Sequence, residues 1–478
     1  MGSIKENTIS GVKWSAIDRA SQQGIQFIIG IIIARILSPE DYGMVGMLTI
    51  FITIAQSFVD CGFGNALVRK IDRTQKDCST VFYFNIVVGI ACYLSLFLLS
   101  PYVASFFDIP LLEQLLKVLA LSLFFNSLVV VQRARLTAAI DFKNQAIASF
   151  LASVMSGAIG VYMAYNGYGV WSLVYQTVSC AFINMCILFV VAKWMPTWEF
   201  SISSFKEMFS YGSKLLASGL LNTVYREFTT IAIGKVYSAK DLGYYTRGRQ
   251  IATLPSSNFT GILQRVTFPI LAKYQDNDEK LIDVYRKYIR YTSLIIFFGL
   301  FFLLAISKPL VLILLTSKWA DSIIYLQIFC LIYLFDHISQ INLNLLQVKG
   351  RSDLYLRLEV IKRIISLILL FISIPFGVIW ICISQLIYGQ IALFLNTYYT
   401  GRLFGFGYLE QIKDFAKYLV GAIISCVPTL ILNYLPINNI IQIVIGLLIS
   451  IPLYYLIFKK DIYMIDIIQL VVQKIRKK

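Results

Sequence analysis

Charged residues and histidine are scarce in this chain. Only 14% of its 478 residues are charged and one is a histidine, whereas 58% are hydrophobic. Soluble domains carry roughly 25% charged residues, so this composition excludes a soluble fold and predicts a protein of the lipid bilayer. The single histidine, His337, cannot form a metal site alone, and we expect a satisfied core residue rather than a proton relay.

Paired cysteines and nucleotide-binding motifs are missing as well. The eight cysteines are scattered singly, without CxxC spacing and mostly inside apolar runs. Disulfides and metal sites are therefore not expected. Because the chain has no P-loop, we do not expect it to hydrolyse ATP. No cofactor is predicted, apart from a coupling ion whose identity the sequence leaves open.

Long apolar runs, in contrast, recur from end to end. A helix of about twenty apolar residues crosses a hydrocarbon core of about 30 Å. The runs predict an all-α integral membrane fold with about fourteen transmembrane helices. Their approximate bounds are 12–36, 42–59, 78–99, 111–131, 144–165, 170–191, 209–233, 242–262, 288–306, 323–346, 354–374, 377–397, 415–435 and 440–458.

The distribution of positive charge predicts the orientation. With the N-terminus inside, most of the 42 lysines and arginines fall in the termini and the cytoplasmic loops. By the positive-inside rule both termini are cytoplasmic, as an even number of spans requires. Topology and anionic lipid therefore account for the net charge of +16, and no nucleic-acid partner is needed. The outer face holds only Arg35, Lys117, Lys235, Lys240, Lys308 and Lys318.

One motif occurs twice. ARILSPEDYG at 34–43 returns as GKVYSAKDLG at 234–243. In each copy a serine is placed to cap a helix, and an aspartate three residues later closes a capping box at a tight outer-face turn. A lone S-x-x-D is common in helix hairpins, but GYGVW at 167–171 is also echoed by PFGVIW at 375–380, again six spans later. Two echoes with this separation indicate a duplication.

The duplication predicts the domain organisation. The parts are an N-lobe of six helices at 1–200, a C-lobe of six helices at 201–405, and two further helices with a basic cytoplasmic tail at 406–478. Because six is even, the two copies enter the membrane in the same orientation, as in transporters built from parallel repeats. We therefore expect a central cavity between lobes that opens to each side in turn.

Five short stretches form a recognisable set of motifs: ARILSPEDYG at 34–43, DCGFGNALVRK at 60–70, GYGVWSLV at 167–174, DLGYYTRGRQ at 241–250 and FPILAKYQDN at 268–277. They resemble motifs of the Wzx-type polysaccharide flippases, in the polysaccharide transporter branch of the multidrug/oligosaccharidyl-lipid/polysaccharide (MOP) superfamily. The resemblance covers nearly the whole chain. Gly248 departs from the family, because the YYxRA pattern has alanine at this position.

The resemblance implies a V-shaped bundle of twelve to fourteen helices and no enzymatic activity. It also implies transport of an undecaprenyl-diphosphate-linked oligosaccharide across the bacterial inner membrane, for O-antigen, capsule or exopolysaccharide assembly. The expected partners are this lipid-linked glycan, the phospholipid bilayer, and a polysaccharide polymerase with its chain-length regulator. No nucleic acid is among them.

Polar residues inside the first span are the first candidates for a substrate site. Ser15, Arg19, Gln22 and Gln26 recur at helical spacing and form one stripe, with Asp18 alongside. An arginine inside a membrane is costly unless it faces protein or water. The alternative is that Asp18 and Arg19 form ion pairs that only fix helix packing.

The seventh and eighth spans carry a second basic group. Arg226 with Glu227, and Arg247 with Arg249, are expected roughly 10 Å from the outer turn. Arg247 matches the family motif and is the preferred ligand of the diphosphate, whereas Arg249 is expected to pair with Glu227 or to extend outward. Guanidinium suits phosphate because it donates two hydrogen bonds while its charge offsets that of the anion. Arg19 is expected nearer the inner face of the membrane than these arginines. The diphosphate could therefore be passed from a basic group at one depth to a basic group at the other.

The tenth span carries a third candidate group. Asp336, Gln340, Asn344 and Gln347 form one stripe. Amides suit a sugar, but they also form hydrogen bonds between helices in many membrane bundles, and both interpretations stay open.

Two other function classes compete with a flippase. A multidrug or cation-coupled exporter of the same superfamily would share the fold, but its cavity would favour carboxylates and aromatics. A membrane polysaccharide polymerase or glycosyltransferase would need a sizeable extramembrane loop with paired carboxylates or an arginine-rich active site. By the span bounds predicted here the longest outer loop, at 307–322, has only about 16 residues.

Overall fold

The computed structural model describes residue 14, residues 21–60 and residues 62–476. Asp18 and Arg19 lie outside the described residues. Within these ranges every regular element is a helix, and ten helices are long and apolar enough to cross a bilayer. The prediction of an all-α integral membrane fold is confirmed. The chain separates into two compact units, Met1–Gly243 and Tyr244–Lys478.

The first unit contains eleven labelled helices, counting the start of the eleventh. They are α1 (Ser21–Ile36), α2 (Pro39–Asp60), α3 (Phe63–Arg69), α4 (Gln75–Phe107), α5 (Leu111–Leu119), α6 (Leu121–Leu128), α7 (Val130–Ala138), α8 (Phe142–Tyr165), α9 (Trp171–Ala192), α10 (Ile202–Val236) and α11 (Ala239–Ala272).

The second unit contains the rest of α11 and the helices that follow it. These are α12 (Asp278–Ala305), α13 (Ser307–Leu315), α14 (Ser322–Ile332), α15 (Asp336–Val348), α16 (Ser352–Ser373), α17 (Val378–Phe404), α18 (Tyr408–Leu432), α19 (Asn439–Phe458) and α20 (Ile462–Arg476).

Each of the fourteen predicted spans coincides with helical structure. Ten spans correspond to the long apolar helices, and the other four correspond to α1, α10, α11 and α16. Two spans differ in detail, because the fourth is divided into α5, α6 and α7 and the tenth into α14 and α15. The fourth span also continues as helix to Ala138, beyond its predicted end at residue 131.

The two copies of the repeated motif form the predicted capping boxes. The Ser38 N–H and hydroxyl donate to Asp41 Oδ2 at 2.9 and 2.7 Å, and the Asp41 N–H donates to Ser38 Oγ at 3.2 Å. Ser238 and Asp241 repeat the three bonds at 3.3, 2.6 and 3.1 Å. These side chains satisfy backbone N–H groups that a helix start leaves without a partner, so α2 and α11 begin in the same way.

The two copies also touch through their backbones. A Cβ atom on Gly43 would overlap the carbonyl oxygen of Ala239, and one on Gly243 would overlap the carbonyl oxygen of Pro39. Only glycine allows backbones to approach so closely, as at small-residue interfaces between membrane helices. The two turns therefore lie side by side, as parallel copies of a repeat require; the lobe boundaries at residues 200 and 405 stay a prediction.

Buried amides connect three helices of the second unit. Asn342 of α15 donates to Gln411 of α18 at 3.0 Å and accepts from it at 3.1 Å, and Thr400 of α17 donates to Asn342 at 2.8 Å. Hydrogen bonds of this kind fix helix packing where apolar burial gives little specificity. His337 is buried nearby in α15, with its Nε2 3.0 Å from the Ser293 hydroxyl, as expected for a core residue.

Candidate functional site

A polar cavity of about 620 Å³ lies inside the first unit. Helices α1, α2, α6, α7, α8 and α9 form its wall. Most of the lining side chains are amides, hydroxyls or small apolar groups, with one arginine and one aspartate. They are Gln22, Gln26, Ile29, Ile52, Thr53, Gln56, Asp60, Ser122, Asn126, Arg133, Ser149, Ala152, Ser153, Ser156, Gln176, Thr177, Cys180, Ala181 and Asn184.

Helical periodicity brings these groups to one surface. On α8, Ser149, Ser153 and Ser156 follow one another at spacings of four and three residues, which places them on one face. On α9, Gln176 and Asn184 are separated by two turns and share a face in the same way. The opposite faces of both helices carry exposed apolar side chains, as expected for contact with lipid.

A chain of hydrogen bonds orders the α2 side of the cavity. The Asn126 amide donates to Gln56 Oε1 at 3.1 Å, and the Gln56 amide donates to Asp60 Oδ1 at 3.0 Å. The positive charge of Arg133 acts on the same carboxylate. Because Arg133 is exposed to the cavity and Asp60 is its acidic counterpart, the lining combines one cation and one anion with many neutral donors and acceptors.

The charged and the neutral polar side chains lie at different heights along the axis of α2. Asp60 is the last residue of this helix, and Thr53 lies seven residues earlier, about 10 Å deeper along the axis. Arg133 lies in α7, which ends at the residues that connect to the start of α8. The ionic groups therefore lie towards one end of the bundle, and the cavity continues from them into an amide and hydroxyl lining.

Asn184 has an unsatisfied amide oxygen in the cavity wall. The residue is only 8% exposed, and its Oδ1 has no protein partner. An unsatisfied buried acceptor costs about 1–3 kcal/mol. A ligand that offers a hydroxyl or an amide N–H would supply the missing donor.

The structure brings two of the predicted site residues into this cavity, Gln22 and Gln26. Arg226 and Glu227 lie on α10 in the same unit and form an ion pair with each other, with Nε and Oε1 3.2 Å apart. They do not line the cavity, and the Arg226 side chain is 64% exposed.

The remaining predicted residues belong to the second unit. Arg247 is buried, donates to Gln250 Oε1 at 2.7 Å and lies over the Trp319 ring at 5.8 Å. These contacts fix its guanidinium in place, and Arg249 is half-buried on the same helix. Their roles in binding cargo stay a prediction.

The predicted stripe on the tenth span is also located in the second unit. Asp336, Gln340 and Asn344 follow one another along α15, where Asn344 is buried and the other two are half-buried. The cavity described above does not include them. Their assignment to substrate binding is a prediction that the contacts do not decide.

Sequence reasoning missed most of the cavity wall. Arg133 lies between the predicted spans 111–131 and 144–165, because the apolar run ends near residue 131 while the helix continues to Ala138. The serines of α8 and the amides of α9 were available as a signal, since polar residues repeat at helical spacing within otherwise apolar spans. Arg133 itself has no such signal in the sequence.

A bundle of apolar helices that encloses a polar cavity defines a multi-pass membrane protein of the transporter class. Residues 32–324 match the family described as "Polysaccharide biosynthesis protein", and the chain belongs to that family.

Two curated proteins with biosynthetic names are similar to the chain. The chain is 26% identical over 369 residues to the lipopolysaccharide biosynthesis protein WzxC of Escherichia coli (strain K12), covering 75% of this chain and 74% of that protein. It is 26% identical over 362 residues to the teichuronic acid biosynthesis protein TuaB of Bacillus subtilis (strain 168), covering 74% of each.

The fold is similar to that of the lipid II flippase MurJ in its inward closed conformation. The TM-score is 0.75 at 16% identity, and the similarity covers 94% of this chain and 99% of that one. An inward-facing multidrug resistance MATE transporter of the MOP superfamily follows with a TM-score of 0.60 at 16% identity, covering 80% and 95%. At these identities the likeness concerns the fold alone.

Proposed function

We propose that this protein is a flippase that moves an undecaprenyl-diphosphate-linked oligosaccharide from the inner to the outer leaflet of a bacterial cytoplasmic membrane. The proposal rests on the cavity of the first unit, which combines a hydroxyl and amide lining with one arginine near one end. Sugars need many neutral donors and acceptors, whereas a diphosphate needs a cation. The glycan would occupy the neutral part, with the diphosphate at the level of Arg133.

The names of the relatives support a polysaccharide cargo. WzxC is a lipopolysaccharide biosynthesis protein, TuaB is a teichuronic acid biosynthesis protein, and ExoT of Rhizobium meliloti (strain 1021) is a succinoglycan biosynthesis transport protein. These polymers differ, so the feature that the three names share is the biosynthesis of a glycan polymer, and the name of ExoT adds transport. O-antigen, capsule and exopolysaccharide are all compatible with it.

A cation-coupled multidrug exporter is the second candidate, and the cavity lining disfavours it. A cavity for cationic, aromatic drugs would offer carboxylates and aromatic rings. Among the lining residues that the structure describes, none is aromatic, and the single carboxylate of Asp60 already has an amide donor and a nearby arginine. The MATE similarity therefore supports the fold and not the cargo.

Transport would proceed by alternating access, with energy from an ion gradient, the membrane potential or the pull of downstream polymerisation. Both termini would be cytoplasmic. The lipid-linked glycan would enter the cavity from the inner leaflet and leave it into the outer leaflet. A polysaccharide polymerase and a chain-length regulator are the proposed protein partners. No bond of the cargo needs to be broken, so we propose no catalytic residue.

The test is a flipping assay in proteoliposomes that contain a fluorescent undecaprenyl-diphosphate-linked oligosaccharide. Wild-type protein should expose the glycan on the opposite leaflet, and Arg133→Ala should slow this by tenfold or more, because a charge-assisted hydrogen bond contributes about 1.5–3 kcal/mol. Lys206→Ala is the matched control, since Lys206 is an exposed cation of the same unit outside the cavity lining. Wild-type protein that exports a cationic drug and leaves the glycan in place would contradict the proposal.

A further inference from the structure

The part of α20 that the structure describes, Ile462–Arg476, is not among the helices long and apolar enough to cross a membrane. It covers 15 residues, about 22 Å against a hydrocarbon core of about 30 Å, and Asp466, Lys474 and Arg476 interrupt its apolar sequence. Only three residues, Lys459, Lys460 and Asp461, separate it from the end of α19, which is long and apolar enough to span. The helix therefore starts where a span ends, at the level of the membrane surface.

One face of α20 is fixed to the second unit. Tyr463, Met464 and Ile467 pack against the apolar core of α12 and α18. The Tyr463 hydroxyl accepts a hydrogen bond from Arg290 at 2.9 Å, and Tyr291 of α12 donates to Asp466. These contacts hold the helix against the bundle and set the direction of its other faces.

A second face of α20 is apolar and exposed. Ile462, Ile465, Ile468 and Val472 recur at helical spacing, and between 37% and 70% of each side chain is exposed. Gln469 and Gln473 are exposed on the polar edge beside them. A helix with one apolar face that lies beside a span, with polar residues along its edge, has the pattern of an interfacial helix.

Excess positive charge is concentrated at the α19–α20 turn. A groove of about 420 Å³ near Tyr463 is balanced, because Asp283 pairs with Lys287 and Asp414 accepts from both Arg286 and Arg290, while Glu279 also lines it. Lys459 and Lys460 are exposed at the turn, and the sequence QKIRKK at 473–478, which includes the last turn of α20 and the two residues after it, is also basic.

We propose that α20 is an interfacial helix whose exposed apolar face lies in the boundary between lipid head groups and acyl chains, with Lys459 and Lys460 binding anionic phospholipid head groups. Burial of the apolar face would set the depth of the helix in the membrane. The lysines would make the helix prefer anionic over zwitterionic lipid. The occupant of this face is therefore the bilayer surface and not a protein. This inference is independent of the cargo.

The test uses full-length protein in mixed vesicles of phosphatidylglycerol and phosphatidylcholine, with bromine on the acyl chains of one lipid at a time. An environment-sensitive fluorescent amino acid is placed at Ile468 and, in a separate protein, at Gln473, because these positions are five residues apart and face different sides of the helix. The label at Ile468 should be quenched several-fold more by brominated phosphatidylglycerol than by brominated phosphatidylcholine. The label at Gln473 should be quenched by aqueous iodide.

The lysines are tested in the same assay. The double variant Lys459→Gln/Lys460→Gln should lose the preference for phosphatidylglycerol while the label at Ile468 stays quenched by lipid. The control is Arg357→Gln/Arg402→Gln, which removes two exposed cations elsewhere in the second unit and should leave the preference unchanged. A label at Ile468 quenched by iodide, or equal quenching by the two brominated lipids in the wild-type protein, would overturn the proposal.

Discussion

At the scale of single residues, two buried amides of this protein differ in their hydrogen bonding. Asn342 has hydrogen-bond partners on two other helices, whereas Asn184 keeps a buried oxygen without a protein partner. Buried polar groups in proteins are nearly always satisfied, so an exception on a cavity wall points to a ligand. The first amide holds the fold together, and the second is available to cargo.

This difference predicts opposite effects of the same substitution. Asn184→Leu should raise the thermal stability of the purified protein, because it removes an unsatisfied group that costs about 1–3 kcal/mol, and it should reduce glycan transport. Asn342→Leu should lower stability, since Gln411 and Thr400 would lose their partner. Thermal unfolding in detergent and the flipping assay measure the two effects. Equal destabilisation by both substitutions would contradict a ligand-binding role for Asn184.

Single residues are also where sequence-based prediction has its limits. Gln22 and Gln26 could be identified because their helical spacing within an apolar span shows a polar face. Arg133 could not be identified in this way. A helix that lines a polar cavity lacks the apolar run by which a span is recognised in the sequence. Which polar faces converge depends on packing between helices distant in sequence, and periodicity contains no information on that.

At the scale of elements, the beginnings of α2 and α11 are in close backbone contact. Gly43 and Gly243 each face the backbone of the other copy. The capping boxes of Ser38 and Ser238 start both helices at the same point relative to these glycines. Helix capping and close packing are therefore combined within six residues of each copy.

We expect Gly43→Ala to destabilise the protein and to impair transport, because the added methyl group would overlap the Ala239 carbonyl and force the helices apart. The control is Gly219→Ala on α10, where a Cβ would meet no atom within 4 Å. At that position alanine should be neutral or slightly stabilising, given its higher helix propensity. The measurement is thermal unfolding of the two variants. A Gly43→Ala variant as stable as Gly219→Ala would show that the backbone contact between Gly43 and Ala239 does not form.

An ion pair between the α3–α4 connection and α10 predicts a pH dependence. The Lys70 ammonium lies 3.1 Å from Glu207 and 3.2 Å from Asp77, and the hydrogen bond to Glu207 raises the pKa of Lys70 above its ordinary value of 10.5. A raised lysine pKa stabilises the fold below pH 10.5, and this contribution disappears as the pH rises through the folded-state value.

Titration of ¹³C-methylated lysine by NMR should therefore give a Lys70 pKa above 10.5. Glu207→Gln should lower that pKa, because it removes the largest contribution. The difference in thermal stability between the wild-type protein and Glu207→Gln should shrink as the pH rises above 10.5. A Lys70 pKa that is unchanged by Glu207→Gln would mean that this pair does not form.

Elements could be predicted well where their signals are local. Long apolar runs located the spans, and S-x-x-D spacing located the capping boxes, because both depend on neighbouring residues only. The breaks between α5, α6 and α7 could not be predicted from the apolar run. Helix α20 was missed because half of its surface is polar and it is too short for the length criterion that identifies spans.

At the scale of the whole molecule, the chain is a multi-pass membrane protein of the polysaccharide biosynthesis family. Its composition and apolar runs were sufficient to predict an all-α membrane protein, and the family was predicted from the resemblance of short motifs. The lobe boundaries, the orientation of the termini and the energy source stay predictions. The cargo depends on cavity chemistry, which in turn depends on how α1, α2 and α6 to α9 converge.

The central claim is that the glycan of the cargo occupies the cavity of the first unit. A lipid-linked oligosaccharide with a photoreactive diazirine on its sugar tests this directly, using wild-type protein in proteoliposomes and mass spectrometry to locate the cross-links. We predict cross-links to the neutral lining, at Ser153, Gln176 and Asn184, that unlabelled lipid-linked oligosaccharide competes away. Val190 is the internal control, because it lies on α9 and is 74% exposed outside the cavity lining. Cross-links at Val190 and other exposed apolar positions, without any at the three lining residues, would contradict the account.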